Sequence, residues 1–448
     1  MQIIVGKRFR GSLVAELAFK RLRLNLRSAR LVLLTVTMLA LMVGVGMRAE
    51  QRYRERRELY EAARLARLFA LEDARYYRQV RLGLERPPEP LSLIAEGTGE
   101  RYGTSVIIRG RYGPLEIRAR ERPEALSAED GVLDLAHLWG LFFSLLALLL
   151  SYDIICGERQ EGTLQFALAN ALPRYKLLVG EFLGCFLSLL VPLLLASLVA
   201  LAMLRALAGF ALGGEELLRA ELVFLGALLL TSALLWLGLC CSALSRETPT
   251  AFILAFGTWV ALSVAFPNLA SWIAQRLRPI PITEEALSSE GVFGLALEER
   301  SDEPSPEHER ALAQMRESAL NAKLEQGRMN DALKLLSPVS SFLALAQILA
   351  RTDLSAQRDF LARAHRLNDE FRRWQAEKLR RYPERESYYE PRWGPLDIEG
   401  LPEARLAPIS LEASLHAAWP YWASLIIFNL VFGYLALLLV LRYDVRFR

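Results

Sequence analysis

The chain has 448 residues, of which 53% are hydrophobic and 23% charged, and its net charge is +4. Long apolar runs alternate with heavily charged stretches, which excludes a single soluble globule, a disordered chain and a fibrous repeat. The sequence therefore indicates a membrane protein with large water-facing parts. The small net charge gives no sign of a nucleic-acid partner, and the four cysteines lie in or beside apolar runs, so no disulfide framework is predicted.

The chain begins with a basic segment, residues 1–30, which carries eight Lys or Arg residues against one acid, Glu16. The apolar run 31–47 follows, clamped between Arg30 and Arg48. A membrane helix needs about 17 to 25 mostly apolar residues, and this run is long for the core of a signal peptide. We therefore interpret 31–47 as the first transmembrane helix.

Residues 48–134 form the first segment predicted outside the membrane. Their beginning is rich in Arg, Glu, Ala and Leu, with no Gly or Pro before Gly83. The first membrane helix should therefore extend into water, up to Pro87–Pro88. The alternating stretch 104–110 predicts a strand. The charge run is typical of a solvated helix face rather than of a nucleic-acid site.

Five further apolar stretches predict five more membrane helices, at 135–155, 177–204, 222–244, 251–273 and 419–441. Six such stretches are too many and too long for the core helices of a soluble protein. Trp419, Tyr421 and Trp422 mark the start of the sixth as an interfacial aromatic belt. The connections are an outer loop at 205–221 and an inner loop at 245–250.

The second large outer segment, residues 274–418, is predicted to be mainly helical. Helices are expected at about 307–336, from near Ser340, and after a cap at Asp353. The third helix carries a stripe at spacings of four, three, four and three: Phe360, Ala364, Leu367, Phe371 and Trp374. Such a stripe is typical of a domain core or a dimer contact rather than of a ligand site. Residues 382–405 read as an irregular connection back to the membrane.

Charge predicts the orientation. Short basic flanks stay in the cytoplasm, and both 1–30 and the tail 442–448 are basic. An even number of spans puts both ends on one side, so 156–176 and 245–250 are predicted to be cytoplasmic too. The fold class is an all-α polytopic membrane protein with six transmembrane helices and a mainly helical extracytoplasmic domain.

Motifs for chemistry are absent from the sequence. There is no G-x-x-x-x-G-K-[ST] phosphate loop and no G-x-S-x-G nucleophile elbow. The histidines have no paired ligand spacing, so we predict no metal site, no catalytic residue and no bound cofactor in this chain. If the protein consumes energy, another subunit must supply it.

The loop between the second and third spans, 156–176, is the most informative segment. Gly157 and Gly162 break the chain, Thr163 is a candidate cap for a short amphipathic helix, and Pro173 ends that helix. Its apolar side chains could enter a groove of a partner or lie on the bilayer. Two acids just before it make an anionic lipid surface the less attractive choice.

The residues of this loop resemble a known family, the permease subunits of type-2 ABC transporters. The likeness rests on E-R-Q-E-G-T-L at 158–164, then Arg174, then G-E-F-L-G at 180–184. The segment 336–364 resembles a subgroup with large outer inserts, which includes permeases linked to nitrous-oxide reductase maturation and to gliding motility. Three departures stand out: Glu181 occupies a usual lysine position, Pro173 adjoins Arg174, and Arg351–Thr352–Asp353 replaces Gly-Thr-Asp.

The resemblance implies the architecture of a type V ABC exporter, set in a bacterial inner membrane. It implies that 156–176 is a coupling helix that docks on a separate ABC ATPase subunit, which binds the ATP and Mg²⁺. It also implies a second permease, identical or paralogous, as a partner. The residues expected to couple to the ATPase are Glu158, Glu161, Gly162, Thr163, Leu164, Phe166 and Arg174.

Polar residues in or beside the spans are further candidates, because charge inside a membrane is costly and usually functional. They are Asp153, Glu181 and Asn429. An interfacial position near basic residues explains the two acids equally well, and packing explains Asn429 better.

Two rival functions stay open at this point. One is an ABC assembly that moves no solute and transmits force through its outer segments to a periplasmic or other envelope protein. The other is an ATP-independent membrane scaffold or enzyme, and the lack of a catalytic cluster counts against the enzyme.

Overall fold

The computed structural model describes residues 13–97, 104–112, 115–118, 133–162, 173–208, 213–279, 318, 321–322, 324–387, 389–390 and 394–442. Six helical stretches in this part of the chain are long and apolar enough to cross a membrane. They are Ala29–Glu72, Leu135–Gln160, Arg174–Ala206, Gly214–Leu244, Thr248–Leu277 and Leu411–Leu441. The predicted all-α membrane fold with six spans is confirmed.

A short helix that the sequence analysis did not predict precedes these spans. Helix α1 covers Leu13–Leu26, and only two residues separate it from α2, Ala29–Glu72. Helix α2 has 44 residues, so it is about 66 Å long. Its first half is apolar and its second half charged, which confirms that the first membrane helix extends beyond the apolar run.

The end of α2 differs from the prediction. The helix stops at Glu72, well before Pro87–Pro88, and β1 occupies Leu82–Glu85. Leu82 and Leu84 are both buried whereas their neighbours are half-buried, and this alternation suits a strand with one face on a core. Burial of these two leucines therefore overrides the helix propensity of the surrounding residues.

The membrane bundle is built from α2 and the helices that follow it. These are α3 (Leu135–Ser151), α4 (Ile154–Gln160), α5 (Arg174–Ala208), α6 (Gly214–Leu244), α7 (Thr248–Val260) and α8 (Phe266–Leu277). A π-helical segment, Ala261–Ala265, joins α7 to α8 just before Pro267, whose missing N–H interrupts an α-helical ladder. The chain returns as α9 (Pro338–Leu349), α10 (Leu354–Arg381) and α11 (Leu411–Leu441).

Helix α9 belongs to the core of the bundle. Phe342 and Leu345 are fully buried, and Leu345 Cδ2 lies 2.6 Å from where a Cβ on Gly226 of α6 would stand. Ser341 and Ser424 of α11 are hydrogen-bonded at 2.9 Å. Polar contacts of this kind fix the register of α9 against the spans, because an unpaired hydroxyl in an apolar core is unfavourable.

A second core lies outside the bundle and is called here the outer unit. Its sheet has the antiparallel order β1–β2–β3, with β2 at Ser105–Ile108 and β3 at Glu116–Arg118. The strand predicted at 104–110 is therefore confirmed. Helix α10 packs on the sheet, and its whole predicted stripe is buried: Phe360, Ala364, Leu367, Phe371 and Trp374. The predicted cap is confirmed as well, since the Asp353 carboxylate accepts a hydrogen bond from the amide of Ser355.

Candidate functional site

The candidate site lies at the end of the bundle where α3 ends and α4 begins. We call this end of the bundle the α4 end. Ser242 Oγ of α6 accepts hydrogen bonds from the amides of Ile155 and Cys156, at 2.9 and 3.1 Å. These amides belong to the first turn of α4, where no carbonyl of the helix itself is available to them. At the other end of α4, Thr248 Oγ1 donates to Gln160 Oε1 at 2.6 Å. Helix α4 is therefore fixed at both ends to α6 and α7.

The chain turns sharply after α4. Gly162 has a φ of +71°, which other residues rarely adopt, and Glu161 just before it is exposed. Three predicted coupling residues, Thr163, Leu164 and Phe166, lie outside the described residues.

Helix α1 packs along the beginning of α5. A Cβ added to Gly180 would stand 2.7 Å from Leu17 Cβ, and one added to Gly184 would stand 2.6 Å from Arg21 Cβ. Two glycines four residues apart leave a groove along one face of a helix, and this lets a neighbouring backbone approach closely. The glycines of the sequence motif thus have a physical role, which is to admit α1.

Arg21 of α1 joins three helices. Its guanidinium pairs with Glu181 of α5, whose side chain is 3% exposed, and its Nη2 lies 3.9 Å from Glu158 Oε1 of α4. One turn further along α1, Asn25 Nδ2 donates to Ser188 Oγ of α5 at 3.1 Å. We call Arg21, Glu158 and Glu181 the α4 junction.

The α4 junction explains one departure from the family pattern. Glu181 is an acid where a lysine is usual, and its charge is met by a basic residue from another helix. Sequence reasoning missed Arg21 because eight basic residues in 1–30 were interpreted together as an orientation signal. A helical wheel of Leu13–Leu26 places Arg21 on a different face from Lys20 and Arg23, and this signal could have identified it.

The other predicted site residues have different positions. Arg174 Nη1 donates to the Leu441 carbonyl at 2.6 Å, which ties the start of α5 to the end of α11. Asp153 lies in the turn that begins α4. Asn429 Nδ2 donates to the carbonyls of Leu229 and Leu425, both at 2.9 Å, so it links α11 to α6 as a packing residue.

A second polar cluster lies at the opposite end of the bundle, next to the outer unit. Arg219 of α6 is fully buried. Its guanidinium pairs with Glu215 at 2.9 Å and donates to Ser414 Oγ at 2.8 Å, and to the carbonyls of Leu349 and Ile409. These contacts connect α6, the end of α9 and the start of α11.

Arg351 extends this cluster into the outer unit. Its guanidinium pairs with Glu215 at 2.6 Å and with Glu89 at 3.4 Å. Burial raises the pKa of Glu89, although Arg351 opposes the shift. Arg351 has a φ of +59° directly after α9, a conformation that glycine adopts without strain. We call Arg219, Glu215, Arg351 and Glu89 the outer junction.

In the described ranges of the chain, no three His, Cys, Asp or Glu side chains come together in a way that could hold a metal ion. Both junctions consist of arginines that bridge carboxylates. Such an arrangement supplies no nucleophile and holds helices together.

The family described as ABC-2 family transporter protein matches residues 15–448, nearly the whole chain. No curated protein matches the sequence. Six candidate spans and this match together make the protein a multi-pass membrane protein. The chain belongs to the ABC-2 family, the membrane components of ABC transporters.

Proposed function

We propose that this chain is a permease subunit that couples ATP hydrolysis by separate ABC ATPase subunits to export or to envelope remodelling. The ATPase docks at the α4 end, on the loop that follows Gly162. It supplies the ATP and Mg²⁺ sites, and this chain supplies no catalytic group. Both termini then face the cytoplasm of a cell with an inner membrane, as the basic segments favour.

The observation that carries the proposal is the α4 junction. Arg21 pairs with Glu158, four residues before the turn at Gly162, and with Glu181 in the third span. A force on the loop therefore meets α4 first, and through Arg21 it reaches α1 and α5 together. Because only two residues separate α1 from α2, the first span moves with α1.

A second copy or a paralogous permease completes the transporter in this proposal. Each permease then presents one loop to one ATPase subunit, and closure of the ATPase pair rocks the two sets of spans. The family membership supports the ATPase partner. The pairing of permeases, the direction of transport and the coupling-helix role of the loop are part of the proposal.

The outer junction favours a second candidate function, mechanical transmission to an envelope partner without transport. Arg219 in a span and Arg351 at the start of the outer unit share Glu215. A link of this kind, anchored at one end by the fully buried Arg219, lets movement of the spans reach the outer unit. ATPase activity that rises with an envelope protein, with no solute accumulating in vesicles, would favour this candidate.

The test of the proposal uses two glycines of one segment. In Gly162→Ala the new Cβ meets no neighbour among the described residues, but the left-handed conformation costs roughly 1–2 kcal/mol, which destabilises the turn. Gly157→Ala is the matched control, since a Cβ there also meets nothing and its φ is ordinary. We expect Gly162→Ala to reduce co-purification of an ABC ATPase subunit and ATP turnover by the complex, and Gly157→Ala to leave both unchanged.

Two outcomes would contradict the proposal. One is purification of the full chain from its native membrane without any nucleotide-hydrolysing subunit, which would support the scaffold function. The other is an ATPase complex that Gly162→Ala and Glu158→Lys both leave intact and fully active. The second change places a like charge beside Arg21, so an intact complex would remove the α4 junction from the coupling path.

A further inference from the structure

Helix α1 has a face that the bundle does not cover. Lys20 and Arg23 of α1 and Arg27, just after its last residue, are exposed along it, and within the described residues none of the three forms a salt bridge. Arg21 points the other way, into the α4 junction. Glu16 is the one acid of α1. Glu16 lies one turn before Lys20 on this face, which is therefore mainly basic, and its three basic side chains form no salt bridge among the described residues.

Large apolar side chains flank these basic residues. Phe19 is 58% exposed and Leu24 is 54% exposed, and Leu13 and Leu26 at the two ends are exposed as well. Exposure of a phenylalanine and three leucines on a 14-residue helix is unfavourable in water. Apolar flanks beside a basic stripe are typical of a helix in the headgroup region of a bilayer.

The position of α1 gives its depth. Leu17 lies beside Gly180 and Asn25 beside Ser188, so α1 runs parallel to the first part of α5. The chain then continues through Ser28 into α2, whose apolar run begins at Leu31. The basic face thus ends where the lipid-facing surface of the first span starts. Because Gly180 and Ser188 belong to the third span, α1 lies within one leaflet, and its long basic side chains reach the headgroups from there.

We propose that the exposed face of α1 is a binding surface for anionic phospholipids. Lys20, Arg23 and Arg27 bind the phosphate groups, and Phe19 and Leu24 lie between the upper parts of the acyl chains. Bound lipid holds α1 in the groove of Gly180 and Gly184. The lipid site stands independently of any ATPase; the further consequence, that anionic lipid keeps Arg21 in the α4 junction and raises coupling, rests on the proposed function.

The experiment uses the full chain alone in detergent micelles, titrated with fluorescent phosphatidylglycerol and, as the neutral probe, fluorescent phosphatidylcholine. Each basic side chain at an anionic surface contributes about fivefold to binding. K20Q/R23Q/R27Q should therefore bind phosphatidylglycerol about a hundredfold more weakly, with phosphatidylcholine binding unchanged. Added salt should weaken the wild-type binding in the same direction.

Two further triple variants control for folding and for charge in general. K20R/R23K/R27K keeps the charge and should bind phosphatidylglycerol like the wild type. R64Q/R373Q/R380Q removes three exposed arginines from α2 and α10, away from this face, and should also bind like the wild type. Equal melting temperatures of all variants would show that the bundle is intact.

Unchanged phosphatidylglycerol binding by K20Q/R23Q/R27Q would overturn the lipid site. So would equal losses in that variant and in R64Q/R373Q/R380Q, which would reflect net charge alone. Loss of ATPase co-purification with unchanged lipid binding would assign the face to an acidic protein surface instead. Because the titration contains no ATPase, its failure and the failure of the proposed function are separate results.

Discussion

The α4 junction and the outer junction use the same chemistry in different surroundings. In each, an arginine bridges two carboxylates that belong to different elements. Arg21 keeps 18% of its side chain exposed, whereas Arg219 is fully buried and also holds two carbonyls and a hydroxyl. Arg219 is thus a fixed point of the outer junction, whereas Arg21 of the α4 junction is a charge that solvent and partners can reach.

This difference agrees with the two proposed roles, a rigid connection at the outer junction and coupling to the ATPase at the α4 junction. A buried charge with all its partners present keeps one geometry, because any other arrangement leaves polar groups unpaired in a low-dielectric interior. The Arg21–Glu158 contact is longer, at 3.9 Å, and joins two partly exposed side chains, so it exchanges its partner for water at small cost. Changes at the two junctions should therefore differ in kind: loss of folding stability at one, and loss of helix docking or coupling at the other.

The largest effect is expected for Arg219→Met. The variant keeps the volume but leaves the carbonyls of Leu349 and Ile409 and the hydroxyl of Ser414 without their donor. We expect a loss of about 3 kcal/mol in the free energy of unfolding, since each buried group left unpaired costs about 1–3 kcal/mol and Glu215 is partly solvated. Thermal unfolding in detergent measures it. Arg64→Met, at an exposed position of α2, is the control and should melt like the wild type.

A melting temperature of Arg219→Met equal to that of Arg64→Met would break the comparison. It would mean that the hydrogen bonds of Arg219 are replaced by water, and that its burial contributes nothing to the rigidity of the outer junction.

A smaller effect is expected for Gly184→Leu. The new side chain meets Arg21 Cβ and the carbonyl of Ala18, which lies 2.7 Å from the Cβ position. Overpacking of this kind costs about 1–3 kcal/mol, and here it is relieved by displacement of α1 rather than by unfolding of the bundle. Hydrogen exchange of the amides of α1 should speed up, while exchange in α6 stays slow. Gly257→Leu, whose Cβ meets no neighbour, is the control.

Unaltered exchange in α1 of Gly184→Leu would show that α1 does not depend on the glycine groove. The α4 junction would then be held by its ion pairs alone, and Arg21→Gln should release α1 instead.

The smallest effect is expected for a pair of variants at Arg351, which distinguishes the cost of its backbone strain from the contribution of its charge. Both Arg351→Gly and Arg351→Ala remove the ion pairs to Glu89 and Glu215, but only glycine relieves the left-handed backbone at φ +59°. We expect the glycine variant to be about 1 kcal/mol more stable than the alanine variant, by chemical denaturation of the two proteins. Equal stabilities would mean that the chain after α9 relaxes to another conformation once the arginine is gone.

The sequence predicted the structure best where one local pattern is sufficient to define an element. Hydrophobic length predicted the six spans, a three–four spacing predicted the buried stripe of α10, and Asp353 before a helical pattern predicted a cap. The glycines at 180 and 184 were recognised only as part of a family motif. Their partner, α1, lies in the basic segment 1–30, which was interpreted only as an orientation signal, so the amphipathic pattern of this helix was not recognised.

The sequence alone determined the class of this protein, because crossing a bilayer requires long apolar helices whatever their neighbours are. Tertiary structure alone decided which charges meet. Glu158, Glu181 and Arg21 are far apart in the chain, as are Glu89, Glu215 and Arg351, and no local pattern relates them. Their pairing depends on how the helices pack, and burial of one charge makes the position of the opposite charge obligatory.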